Sequence, residues 1–163
     1  MATVEITGLK SLINRMNALG KNLDIVVDNA VHKSALQIQK AAKENIRTVT
    51  ATAGGHVYKA FDTGNLYRHI NAERLAPGAW AVGTAVEYGP YIEFGTGSEG
   101  DPSVAHTTRP RWVYYNKAVG GYRTAYPQPA RPFLRPAFES HKEIVFKNVR
   151  NAIVRAALTG GTE

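Results

Sequence analysis

The segment that decides the fold reads Asp24-Ile-Val-Val-Asp-Asn-Ala-Val-His-Lys-Ser-Ala-Leu-Gln-Ile-Gln-Lys-Ala-Ala-Lys-Glu-Asn-Ile-Arg47. Its apolar side chains recur at helical spacing, and no proline or glycine interrupts it. A helix of about 24 residues spans roughly 36 Å and needs a surface to pack against. We therefore expect it to cross a sheet. The apolar stripe consists of Val27, Val31, Ile38, Ala41, Ala42 and Ile46, with Lys33, Lys40, Lys43 and Glu44 largely off it.

Further helices are predicted on both sides of this segment. A short amphipathic helix lies between Gly8 and Gly20, and we expect Gly20 to end it. The last helix has Pro132 or Pro136 in its first turn, where a missing N–H costs little, and it runs to about Leu158. Its apolar stripe consists of Phe138, Val145, Val149, Ala152 and Ala156.

The middle of the chain carries strand and turn patterns. Small, polar and glycine residues over 48–58 favour a loop. A hairpin is predicted from Leu66–Arg74 and Ala79–Val86, and a second from Arg111–Lys117 and Tyr122–Tyr126. This order predicts an α+β fold, a small antiparallel sheet with a long N-terminal helix and a C-terminal helix packed on it. We expect one domain over 1–163, with mobile loops at about 48–60 and 97–109 and a frayed tail at 159–163.

The composition indicates a globular protein and excludes several functions. Hydrophobic residues make up 44% of the 163 residues and charged residues 20%, and there is no cysteine. No apolar run approaches the roughly 18 residues of a membrane span, so we expect no membrane partner. The net charge is +7, from 20 Lys and Arg against 13 Asp and Glu. This excess permits phosphate binding, so a small basic nucleic-acid-binding protein is the alternative function, although no recognisable nucleic-acid module accompanies the charge.

The sequence gives no support to an enzyme or a cofactor site. Gly95-Thr-Gly-Ser-Glu-Gly100 lacks the lysine of a phosphate-binding loop, and we interpret Gly95-Thr96-Gly97 as a shaped turn. No two of the five histidines have the i, i+4 spacing of a helical metal site. No nucleophile elbow is present. Glu87 and Glu93 do not form a recognisable catalytic pair, and solvated charge is their simplest interpretation. We therefore expect no catalytic residue, metal or cofactor.

Two short segments indicate a contact surface instead. They are Tyr88-Gly-Pro-Tyr-Ile-Glu-Phe-Gly-Thr-Gly97 and Ala130-Arg-Pro-Phe-Leu-Arg-Pro-Ala137. Aromatic residues are favoured at protein contacts. Two roles are open for the arginines of the second segment: they clamp carboxylates of a neighbouring subunit, or they stay in water while the apolar pair between them anchors the helix. The predicted interface residues are Tyr88, Tyr91, Glu93, Phe94, Gly95, Thr96, Gly97, Arg131, Phe133, Leu134 and Arg135.

With Asp62-Thr-Gly-Asn-Leu66 upstream, these motifs occur in an order and at a spacing that resembles the head-to-tail joining proteins of long-tailed bacteriophages. The resemblance covers roughly residues 5–158. It implies a non-enzymatic virion protein, made in the host bacterial cytoplasm, that sits at the neck, completes the upper end of the tail and helps join it to the filled head.

The same resemblance implies a ring of six copies around the DNA channel. Its neighbours would be other neck and tail proteins, such as the tail terminator and the head-completion protein. Non-specific contact with genomic DNA is then expected from basic residues of the end helices. The candidate channel residues are Lys142, Lys147 and Arg150.

Overall fold

A computed structural model describes residues 9–117 and 119–159; for residues 9–19 and 21 it describes the backbone alone. Helices and strands are mixed, which confirms the α+β class. The helices are α1 (Leu9–Thr48), α2 (Asn65–Arg68), α3 (Gly89–Phe94) and α4 (Leu134–Thr159). The strands are β1 (Thr50–Ala53), β2 (His56–Lys59), β3 (Ile70–Ala76), β4 (Ala79–Thr84), β5 (Trp112–Asn116) and β6 (Gly121–Ala125).

Helix α1 is one continuous helix of 40 residues, where the sequence predicted two. The prediction that Gly20 ends a first helix was wrong. A glycine inside a helix costs only about 1 kcal/mol, and the residues on both sides of Gly20 carry helical patterns. The predicted stripe is buried at Ile38, Ala42 and Ile46.

The segment after α1 is a hairpin and not the predicted loop. Strands β1 and β2 pair antiparallel, with Thr50 opposite Lys59 and Ala53 opposite His56. Gly54 and Gly55 form the turn, both with positive φ, a conformation that glycine adopts at little cost. The sequence prediction gave weight to the small polar residues and missed the glycine pair as a hairpin turn. Mobility of residues 48–60 stays a prediction.

The two hairpins predicted from the sequence are present, but the first strand, predicted over Leu66–Arg74, begins only at Ile70, because Asn65–Arg68 form α2. Strands β3 and β4 form one two-stranded sheet, and β5 and β6 form another. In the second, Trp112 lies opposite Ala125 and Asn116 opposite Gly121. Among the described residues the strands thus form three separate two-stranded sheets.

The described residues divide into two compact units. Helix α1, helix α4 and the β3–β4 hairpin each contribute residues to both units. The first unit lies within Met1–Gln37, Ala72–Ala81 and Ser140–Glu163. Its hub is Asp28 on α1, whose Oδ1 accepts hydrogen bonds from Arg74 Nε at 3.1 Å, Gly78 N at 2.9 Å and Trp80 Nε1 at 3.1 Å. These bonds, led by that of Gly78, lower the pKa of Asp28, because they favour the charged carboxylate.

The second unit comprises Ile38–Asn71 and Val82–Glu139 and contains most of the buried apolar side chains. Ile46, Ile70 and Phe133 are almost completely buried. Asn45 on α1 donates a hydrogen bond from Nδ2 to the carbonyl of Phe133 at 3.0 Å. This contact fixes the entrance of α4 against α1 within the unit.

Two details near the predicted contact segments differ from expectation. Residues 89–94 form the short helix α3, with Pro90 in its first turn, where the sequence indicated only a turn. Helix α4 begins at Leu134, so Pro136 lies in its first turn and Pro132 precedes it. Phe138, which was assigned to the apolar stripe of α4, is 53% exposed. Residues 160–163, the predicted frayed tail apart from Thr159, lie outside the described residues.

Candidate functional site

Glu93 on α3 caps the N-terminus of α4. Its Oε2 accepts hydrogen bonds from Phe133 N at 2.7 Å and Leu134 N at 2.9 Å, and its Oε1 accepts one from Arg135 N at 2.9 Å. The residue is 3% exposed. The first N–H groups of a helix have no intrahelical acceptor, and the helix dipole favours a negative charge at that end. One carboxylate therefore satisfies three backbone donors and joins the two segments that were selected from the sequence.

This role corrects the interpretation of Glu93 as solvated charge near an interface. The residues ahead of α4 include no Ser, Thr, Asp or Asn that could serve as a local cap, since Pro132 and Phe133 precede Leu134. A helix entrance without a local cap is a signal that a distant acceptor is needed. Glu93, enclosed by Ile92 and Phe94 in the sequence, was the acidic residue most suited to burial.

Backbone contacts at Gly95, Thr96 and Gly97 connect the same two segments at a second place. Thr96 and Gln128 exchange backbone hydrogen bonds at 2.8 and 3.1 Å. Gly95 has φ 71° and ψ −172°, a region that essentially only glycine occupies. A Cβ atom at Gly95 would lie 2.6 Å from the carbonyl oxygen of Gln128. The shaped turn predicted from the sequence is therefore a close crossing of two backbone segments.

Arg131 is buried in the same region, with 3% of its surface exposed. Its backbone N donates to the carbonyl of Ile92 at 2.8 Å, and its Nη2 donates to Oε1 of Gln128 at 2.8 Å. The guanidinium lies 5.6 Å from the ring centroid of Tyr58. Its Nε has no hydrogen-bond partner among the described residues, and none of their carboxylates forms an ion pair with it. Burial lowers the pKa of Arg131, because it disfavours the charged form.

Arg135 is bound within its own chain. Its Nη2 lies 2.7 Å from Oδ2 of Asp101, and its guanidinium lies 5.3 Å from the ring centroid of Phe94. Hydrogen bonds from Ser103, with a smaller contribution from Arg135, lower the pKa of Asp101 to about 2. The two arginines thus do not both stay in water: Arg131 is buried, and Arg135 pairs with an acid on the loop after α3. Their role as a clamp on carboxylates of a neighbouring subunit stays a prediction.

A groove of about 1470 Å³ opens beside these contacts in the second unit. Nine aromatic side chains lie in its walls, and several are substantially exposed, including Tyr91 at 59% and Tyr126 at 63%. Arg131 also lines it. A groove with exposed aromatic walls and a buried cation is suited to binding a partner. Its aromatic lining consists of Tyr58, Phe61, Tyr67, Tyr88, Tyr91, Phe94, Trp112, Tyr114 and Tyr126.

The structure sorts the predicted interface residues into two groups. Glu93 and Phe133 are buried inside the unit, and Leu134 and Arg135 are held in the entrance of α4. The second group lines the groove and consists of Tyr88, Tyr91, Phe94, Gly95, Thr96, Gly97 and Arg131. The candidate DNA-channel residues Lys142, Lys147 and Arg150 are all exposed on α4.

Within the described residues, no cluster of His, Cys, Asp or Glu could hold a metal ion. None of the described helices combines the length and the apolar character needed to cross a membrane. Comparisons with protein-family models, with curated proteins and with solved structures found no match.

Proposed function

We propose that this chain is a structural virion protein of a bacteriophage neck, which completes the upper end of the tail and helps join it to the DNA-filled head. It acts without catalysis, as a ring of six copies around the DNA channel. The motif resemblance supports the ring and its place in the virion, and the groove is a surface suited to a contact between neighbouring copies.

The observation that carries the proposal is the convergence of seven predicted interface residues on one groove. In a ring, each copy meets the next through two different surfaces that must be complementary. A concave surface with exposed aromatic side chains is suited to be one of these surfaces, because aromatic rings bury much area for little lost rotamer entropy. Tyr88 at 41% and Tyr91 at 59% exposure are its largest projecting side chains on the α3 side.

Hydrogen bonds connect the backbone segments that frame the groove. The carboxylate of Glu93 and the bridge between Thr96 and Gln128 hold the α3 segment against the entrance of α4. A preformed surface loses less conformational entropy on association than a mobile one. Substitutions at Glu93 or Arg131 therefore perturb the fold, and the exposed tyrosines are the better probes of assembly.

Native mass spectrometry of the purified chain, supported by particle imaging, tests the ring. We expect a closed oligomer of six copies for the wild type. Tyr91→Ala should reduce the closed oligomer at least about tenfold at equal protein concentration, since truncation of a central interface aromatic typically costs about 2 kcal/mol or more.

The matched control is Phe146→Ala. Phe146 is 71% exposed on α4 and does not line the groove. Its truncation should leave the oligomer unchanged, and both variants should keep the wild-type thermal midpoint. A wild-type chain that stays monomeric at high concentration, or virions that assemble normally without the protein, would rule out the proposed function.

A further inference from the structure

Arg131, in the wall of the groove, is a buried cation without an anion among the described residues. It is 3% exposed, its Nε has no hydrogen-bond partner there, and its Nη2 donates to the neutral amide of Gln128. None of the ion pairs of the described residues includes it. Buried charges in proteins are normally paired, because a lone charge loses its hydration. Where Arg131 lines the groove, it is therefore a binding point for an anion.

The other charged side chains of the groove indicate what kind of anion fits. Lys59 and Asp62 also line it, and their charges cancel. The groove thus offers one uncompensated positive charge, at a buried point. Binding of a nucleic acid depends on several exposed cations that follow the phosphate backbone. A single carboxylate matches this arrangement better than a chain of phosphates.

The walls of the groove are suited to a polypeptide. Its volume of about 1470 Å³ exceeds the roughly 300–1,000 Å³ typical of small-molecule pockets. Trp112 and Tyr114 line it from alternate positions of β5, so they lie on one face of that strand. Such a wall can cover apolar side chains on both sides of a carboxylate.

The lining by β2 indicates that an edge of this strand faces the groove. The consecutive residues Val57, Tyr58 and Lys59 all line it. Side chains of a strand alternate between two faces, so a groove against one face would meet every second residue. Among the described strands β2 pairs with β1 alone, and every second residue of β2 directs its N–H and C=O away from β1. An extended peptide can pair with such an edge.

We infer that the groove binds an extended polypeptide segment, which pairs with β2 and presents one carboxylate, between apolar side chains, to Arg131. The strand edge fixes the backbone of the segment, and the guanidinium selects the acid. The inference rests on the proposed ring for the origin of the segment, which a neighbouring copy brings. It thereby states the chemistry of the second of the two complementary surfaces that ring closure requires.

Selection from a library of short random peptides tests this chemistry without an assumed sequence. The full chain is immobilised at low density, so that neighbouring copies do not fill the groove. The enriched peptides should carry Asp or Glu at one fixed position, with apolar residues on both sides. Enrichment of peptides without an acid at a fixed position, or no enrichment, would overturn the inference.

Matched peptides separate the groove from general attraction to a chain of net charge +7. In fluorescence anisotropy, an enriched peptide should bind at least about 30-fold more tightly than the same peptide with the acid replaced by its amide, since a buried charge pair is lost. A third peptide has the acid moved by one position, which keeps the charge but places the carboxylate on the opposite face of the strand. It should bind as weakly as the amide peptide. An enriched peptide that binds no better than either of the other two would contradict the assignment.

Nuclear magnetic resonance locates the contact without a substitution of the buried arginine, which can unfold the protein. The Nε–Hε resonance of Arg131 should shift when the enriched peptide is added and stay in place with the amide peptide. The control is the same resonance of Arg123, an exposed residue of β6 outside the groove lining. No shift at Arg131, or an equal shift at Arg123, places the peptide elsewhere and refutes the contact.

The oligomer separates this inference from the proposed function. An excess of the enriched peptide should cause loss of most of the closed oligomer in native mass spectrometry, and the amide peptide should not. A ring that withstands the peptide refutes the neighbouring copy as the source of the segment and leaves the proposed ring intact. A chain that stays monomeric and still selects acidic peptides refutes the proposed function alone.

Discussion

At the scale of single residues, Glu93 holds the site together. One buried carboxylate accepts three backbone hydrogen bonds at the entrance of α4, at distances from 2.7 to 2.9 Å. The bonds connect a residue of α3 to residues about 40 positions later in the chain. No local capping residue can replace it, because Pro132 and Phe133 occupy the positions before the helix.

We predict that Glu93→Gln destabilises the fold by about 2 kcal/mol, because the amide removes the charge and turns a donor toward at least one backbone N–H. Chemical denaturation measures the free energy of unfolding. Glu87→Gln removes an exposed acid just before α3 and should change stability by less than about 0.5 kcal/mol. Equal effects of the two substitutions would contradict the cap.

The backbone conformation and close packing of Gly95 lead to a second prediction about a single residue. Alanine there meets both a disallowed backbone conformation and a Cβ contact of 2.6 Å with the carbonyl of Gln128. We expect Gly95→Ala to cost about 3 kcal/mol or more. Gly120 has φ 65° with no described atom within 4 Å of its Cβ position, so Gly120→Ala should cost only about 1 kcal/mol. Thermal denaturation of both variants separates the close approach from the backbone strain.

The lowered pKa of Asp101 makes the stability of the fold depend on pH in the acidic range. Its pKa of about 2 in the folded protein lies below the ordinary aspartate value of 3.8, so its ionised form favours the folded state. This contribution is complete above about pH 4 and is lost as the pH falls toward 2. Asp101→Asn should therefore flatten the thermal midpoint against pH between about 4 and 2. Asp62→Asn, at an exposed acid, should keep the wild-type slope, and an unchanged slope in Asp101→Asn would contradict the assignment.

At the scale of elements, the described strands pair only two by two. An isolated two-stranded hairpin is at best marginally stable in water, and the described strands form three such pairs. The β5–β6 hairpin exposes Tyr115 at 54% and Tyr122 at 77%. Their rings pack edge to face at 5.4 Å between centroids, which supports one face of the hairpin. The exposed aromatic surface that remains is suited to burial in an assembly.

Helix α4 carries the prediction about DNA. Three exposed cations on it are candidates for the channel wall. If they contact phosphates in the assembled ring, replacing all three with glutamine should reduce the slope of log K against log salt by about 3 for each copy that contacts the DNA, since each contact contributes about 0.9. Fluorescence anisotropy with a duplex between 50 and 200 mM salt measures the slope. The substituted residues are Lys142, Lys147 and Arg150.

The control for that experiment removes three exposed cations from the neighbourhood of the β5–β6 hairpin. This variant has the same net charge and should retain the wild-type slope. An equal loss in both variants would show that net charge alone, and not the α4 surface, attracts DNA. Tight, sequence-selective binding by the monomer would favour the alternative, a nucleic-acid-binding protein. The control residues are Arg111, Lys117 and Arg123.

At the scale of the whole molecule, the net charge of +7 means that identical copies repel one another unless their contacts are specific. A ring of such copies needs apolar burial and locally paired charges at each junction. In the proposed ring, the aromatic groove is suited to the apolar burial.

The sequence by itself determined the α+β class, the hairpins around Pro77-Gly78 and Gly120-Gly121, and the last helix. These features depend on local periodicity and on turn residues, which act over a few positions. It also singled out the two segments that meet in the structure. Continuity of α1 through Gly20 and the hairpin at Gly54-Gly55 were missed, because a single glycine is a weak helix terminator and a glycine pair fits both loop and hairpin.

Only the tertiary structure decided what the two segments do. The capping of α4 by Glu93, the backbone crossing at Gly95 and the burial of Arg131 all join residues that lie far apart in the chain. The sequence pattern of a charged residue is the same whether it lies in water or beneath a helix entrance. Its role depends on which unpaired backbone groups the fold brings within hydrogen-bond distance.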